Sequence, residues 1–320
     1  RDDPAGSDER HARVGVNAPV PEPASPTAAG AVWPGLLLAF LGAVAFSGKA
    51  IIAKLAYRHG VDAITLIMYR MLFALPLFVM LSVWASRGRP ALHRRDWMVI
   101  AGLGFTGYYL ASTLDFMGLQ YVSASLERLI LYLNPTLVLA LGVVLFKRRV
   151  TGRQLISLGV SYGGVLLVFG QELTHVGPHA VLGAALVFGS AISYAVYLVL
   201  SGEEVRRMGA LRLTGLASTV ACVLCIGQFL LLRPLSAMAV APEVIWLSVL
   251  NALVCTFAPV LMVMMAIERL GAALVAQTGM IGPMSTLLMG VLLLGEPFTA
   301  GIAAGTVLVI AGIWMLAKWR

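Results

Sequence analysis

Charge is scarce in this sequence. Lysine, arginine, aspartate and glutamate make up 12% of its 320 residues, and 59% are hydrophobic. A soluble domain carries about 25% charged residues, so an ordinary soluble fold is excluded. With a mean hydropathy of +0.89, the chain reads as an integral membrane protein. Cysteine is also sparse. Cys222, Cys225 and Cys255 lie in apolar segments without a histidine beside them, and they read as small packing residues rather than metal ligands. His11, His59, His93, His175 and His179 all lie in the tail or in loops. An enzyme embedded in the membrane would need a nucleophile, a base or a metal cluster in its spans, and this distribution offers none. No cofactor is implied. Long loops are missing too, which disfavours a scaffold or sensor with a soluble output domain. The net charge of +8 comes mostly from basic residues flanking apolar segments. That placement orients a membrane protein and does not call for nucleic acid.

A membrane span needs roughly 20 mostly apolar residues. Ten segments qualify, at about 32–56, 62–85, 97–119, 122–146, 152–170, 180–201, 211–232, 244–267, 271–294 and 298–317. Residues 1–31 are polar and rich in Pro, Ala and Gly, and they read as a disordered tail. The loop after span 2 holds Arg87, Arg89, Arg94 and Arg95; the loop after span 4 holds Lys147, Arg148, Arg149 and Arg153; the loop after span 6 holds Arg206, Arg207 and Arg212. The opposite side holds only Arg58 and Arg233. Both termini are therefore expected in the cytoplasm, with the chain in a bacterial-type inner membrane.

The chain also repeats itself. At an offset of 148 residues, 117–168 aligns with 265–316 without a gap. Pro135, Gly142, Thr151 and Gly164 match Pro283, Gly290, Thr299 and Gly312, and Gly35 matches Gly183. Spans 2, 3, 7 and 8 show little identity. An odd number of spans per half puts the halves in opposite orientations. After span 4 the chain reads KRRVTGR, and in the matching slot after span 9 it reads GEPFTAG. Thr151 and Thr299 suit helix N-caps in both, while the charge follows the compartment. Inverted halves around a midplane site are a transporter architecture. Pro135 and Pro283 are expected to bend spans 4 and 9.

The segments SASLERLILYLNPTLVLALGVVLFKRRVT and GAALVAQTGMIGPMSTLLMGVLLLGEPFT, with AGIAAGTVLVIAGIWML after the second, resemble the drug/metabolite transporter superfamily. The closest likeness is to its EamA-type permeases, which carry two EamA repeats of five helices. The resemblance implies an all-α membrane fold of ten helices in two inverted repeats, at 32–170 and 178–320. It also implies metabolite export.

Ionic residues fall inside these spans, and each is expensive in hydrocarbon. Arg70, Lys49, Arg128, Glu127 and Asp115 lie roughly 5 to 11 Å outward of their span midpoints. All belong to the first half. They should face the bundle interior and pair, or line a wet cavity. Glu127 and Asp115 can neutralise two of the three cations, which leaves one positive charge for a substrate carboxylate or phosphate. Lys49 and Arg128 are the candidates for that contact. Arg70, Asp115 and Glu127 are candidates for an ion-pair network, with Glu127 able to couple transport to a proton gradient. Tyr108, Ser112 and Asp115 share a face of span 3. Tyr132 stands with Arg128 on span 4, Tyr194 and Tyr197 lie on span 6, and Gln277 lies on span 9. Together these residues predict a cavity that binds a small-molecule substrate such as an amino acid or another carboxylate. A cationic-drug exporter is the alternative, but it would want a carboxylate free of partners.

Overall fold

The computed structural model describes residues 29–146, 151–176, 179–270, 278 and 281–318. Most of the expected tail, 1–31, therefore lies outside the described residues. Regular structure among the described residues is entirely helical.

Helix α1 spans Ala29–Tyr57 and α2 spans Ala63–Ser86. Asp62 starts α2 by accepting from the Ile64 and Thr65 amides at 3.0 and 3.3 Å. Helix α3 runs through Arg94–Gly104, a π-helical turn at Phe105–Leu110, and Ala111–Leu119. Helix α4 is broken into Ala124–Leu131 and Asn134–Phe146. The break lies one turn before Pro135, which has no N–H to offer the carbonyl of Leu131. Then come α5 (Gly152–Val176), α6 (His179–Met208) and α7 (Ala210–Leu232). Helix α8 joins Pro242–Ala252, a π-helical turn at Leu253–Phe257, and Ala258–Leu270. Helix α9 covers Gly282–Met289 and a π-helical turn at Gly290–Leu294. Helix α10 covers Ala300–Lys318. Thr151 and Thr299 do cap α5 and α10: their hydroxyls accept from the amides of Gln154 at 3.4 Å and Ile302 at 3.2 Å.

Seven of these helices, α1, α2 and α4 to α8, are long and apolar enough to cross a membrane. Helices α9 and α10 add shorter apolar stretches at Met284–Leu294 and Ala300–Gly312. Large apolar side chains such as Leu231, Trp33 and Trp246 stand outward, 85%, 77% and 72% exposed. In water that surface would drive aggregation; facing lipid it needs no partner.

The closest packing joins the two halves. Helix α2 lies along α7, α5 along α10, α1 along α8, and α3 along α6; α4 also meets α6, and α9 meets α1. Each pairing maps onto itself or onto another under the 148-residue offset. The π-helical turns of α3 and α8, which begin at Phe105 and Leu253, stand at that same offset. Small residues permit the approach. A Cβ on Gly118 would lie 2.7 Å from the Gly183 carbonyl oxygen, and one on Gly164 would lie 2.6 Å from that of Gly305.

Candidate functional site

Between the halves lies a cavity of about 640 Å³. The break in α4 presents Leu131, Tyr132 and Asn134 to it, and the π-helical turns of α3 and α8 present Gly107, Tyr108, Cys255 and Thr256. π-Helical turns widen a helix locally and often sit at functional sites. Ser193 of α6 ties one of them down by donating to the Thr106 carbonyl at 2.7 Å. A Cβ on Gly107 would collide with Cγ of Tyr197, so there is no room for a side chain.

Among the residues singled out by sequence, Lys49, Arg70, Tyr108, Ser112, Asp115, Arg128, Tyr132 and Tyr194 line this cavity. Glu127 is fully buried behind it. Tyr197 stands in a second layer: its hydroxyl is 3.2 Å from that of Tyr108, and its ring stacks on Tyr194 at 5.5 Å. Gln277 lies outside the described residues.

The ionic residues do converge, but not all of them pair. Glu127 and Arg128 do not pair, because adjacent residues on a helix point about 100° apart. Lys49 is the hub. Its ammonium is ion-paired with Asp115 and lies 3.4 Å from Glu127. Arg128 turns the other way and knots three helices together. Its Nε donates to Thr286 of α9 and its Nη2 to the carbonyl of Phe46 of α1, both at 3.0 Å. Ser47 reinforces the knot by donating to the Gly282 carbonyl at 2.9 Å. Arg70 lies 4.8 Å over the Phe116 ring, with only a long 3.5 Å contact from Nη2 to Ser112.

Three participants carried little sequence signal. Phe116 is one apolar residue among many and Thr286 one hydroxyl among many, with nothing to distinguish them. Glu296 belongs to the GEPFT segment, but its partner is remote in the chain. Its carboxylate accepts from the Ala124 amide at 2.8 Å and the Ser125 hydroxyl at 2.7 Å, and so caps the start of α4. Nearby, Arg58 donates to the Leu294 carbonyl at 2.6 Å, and Arg233 pairs with Asp62 at 3.1 Å. The two basic residues on the sparsely charged side thus both brace that end of the bundle. The cavity leads away from it. Ala39, ten residues before Lys49 on α1, still lines the wall, which corresponds to roughly 15 Å of helix. That direction is toward the α2–α3 and α6–α7 connections.

Among the described residues no group of His, Cys, Asp or Glu is spaced to hold a metal ion.

The EamA-like transporter family model matches residues 33–170 and again 181–318. The uncharacterized transporter YcbK of Bacillus subtilis is 30% identical over 82% of this chain and 86% of its own. The WAT1-related protein At1g44800 of Arabidopsis thaliana is 21% identical over 84% of this chain and 80% of its own. One crystal structure superposes with a TM-score of 0.61 at 16% identity, covering 89% of this chain and 98% of that one; that likeness concerns the fold alone.

Proposed function

Because the chain belongs to the EamA-like transporter family, we propose that it is a secondary transporter exporting small organic carboxylates, amino acids among them, across a bacterial-type inner membrane. Ten spans form two inverted repeats, with both termini cytoplasmic. The halves rock around the central cavity and expose it to each side in turn. One observation carries this reading: a cavity large enough for a small metabolite is walled by both family-matched halves, with an ionic cluster in its lining. Cations outnumber carboxylates there, and Lys49 occupies both carboxylates, which favours an anionic cargo over a cationic drug. Glu127 is the proposed site of proton coupling. Its two oxygens have no hydrogen-bond partner, and it shares its one neighbouring ammonium with Asp115.

The test is solute counterflow in proteoliposomes. Preloading with an unlabelled carboxylate should drive uptake of the labelled one, and Arg128→Gln should abolish it while the protein still folds in detergent. A panel of amino acids and organic acids that shows no counterflow in the wild type would end the proposal.

A further inference from the structure

We propose that Arg70 is the group that receives the substrate carboxylate. The proposal rests on the transport reading above and assigns its anion site to a different residue from the two that the sequence favours.

The other cations are occupied. Lys49 serves Asp115 and Glu127, and Arg128 serves Thr286 and Phe46. Arg70 is 5% exposed and lines the cavity, yet its Nε and Nη1 have no hydrogen-bond partner. Among the described residues no carboxylate lies within 4.0 Å of it. A buried charged donor left without a partner is costly, so a second molecule is the natural acceptor. The geometry is prepared for one. Phe116 is fully buried beneath the guanidinium, and Ser112 touches the opposite nitrogen. Nη1, without a partner, forms one planar fork with Nη2, whose contact to Ser112 is long, and that end-on fork matches the two oxygens of a carboxylate, which a lysine ammonium cannot do. Charge selects the same class. Three cations against two carboxylates leave one positive charge, enough for a monocarboxylate but not for a phosphate monoester.

The experiment follows thermal unfolding of the full chain in detergent with matched probes: acetate, propionate and benzoate, each against its neutral amide, plus inorganic phosphate. A ligand that binds the folded state raises its stability by mass action. At least one carboxylate should stabilise the wild type where its amide does not. Arg70→Lys, which keeps the buried charge, should weaken that carboxylate at least tenfold, and Arg70→Gln should erase its advantage over the amide. Ser112→Ala should weaken it a few-fold and keep the discrimination. If Arg70→Gln does not fold, Arg70→Lys decides alone. Wild-type affinity in Arg70→Lys, equal response to every acid and amide, or phosphate binding as tightly as the carboxylates would overturn the assignment. Carboxylate binding that depends on Arg70, in a protein showing no counterflow, would instead remove the transport reading and leave the site standing.

Discussion

Lys49 shows what one residue does in this protein. It is 17% exposed and holds two carboxylates that are 2% and 0% exposed. Removing one partner of a buried ion pair typically costs about 3–5 kcal/mol, since the remaining charge stays buried. Lys49→Met should therefore lower the unfolding midpoint sharply in detergent, and adding Asp115→Leu should recover part of the loss. Glu127 offers a functional counterpart. Glu127→Gln should retain substrate exchange but lose its response to an imposed pH gradient; an unchanged response would leave Glu127 as a structural partner of Lys49 only. The need of these residues for company was legible from their positions along apolar segments. Their azimuth was not. Whether Arg128 meets Asp115 or a carbonyl on α1 depends on how helices distant in the chain are rotated against it, and the sequence holds no local record of that.

Individual helices depend on their contacts and their ends. Helices α5 and α10 touch backbone to backbone at Gly164 and Gly305. Gly164→Ala should cost about 1–3 kcal/mol by overpacking, measurable as a lower thermal midpoint. At the other end of the bundle from Glu296, Asp96 begins α3. The Arg207 hydrogen bond, and then the His93 amide, hold its carboxyl below the usual carboxylate range. A carboxyl depressed in the folded state stabilises fully above its unfolded value of about 4, and the benefit fades as pH falls through the folded value. Asp96→Asn should therefore narrow the gap between the wild-type melting temperatures at neutral and acid pH. The effect should be modest, because Arg207 is 49% exposed. Helix caps were legible, since Thr151 and Thr299 need only their own next turn. The π-helical turns were not, because FTGYYL and LVCTF share no residue in register and carry no proline. Their match appears only in the backbone.

At the scale of the whole molecule, the cavity should be open on one side. Its lining continues toward the α2–α3 connection, while Arg58, Asp62 and Glu296 brace the opposite end. A cysteine placed at Ala43, in a chain with its three native cysteines replaced, should react with a membrane-impermeant maleimide from the α2–α3 face and resist it from the other. Equal reactivity from both faces would contradict a chamber with one mouth. The pairing of the halves was legible in part: the repeat announced that α5 and α10 are related, though not that they touch.

The paired π-helical turns give the central cavity a tolerance for deletion. A π-helical turn closes between residues five apart where a regular turn closes between residues four apart, so each holds one residue more than the helix needs. Excising one residue from FTGYYL would let α3 relax into ordinary coiling with Ser112 and Asp115 still on the cavity wall and Asp115 still beside Lys49. Adding a residue has no such outlet and would swing the rest of the helix by about 100°. Lengthening this helix is thus more dangerous to the protein than shortening it, and the same holds for its counterpart in the other half.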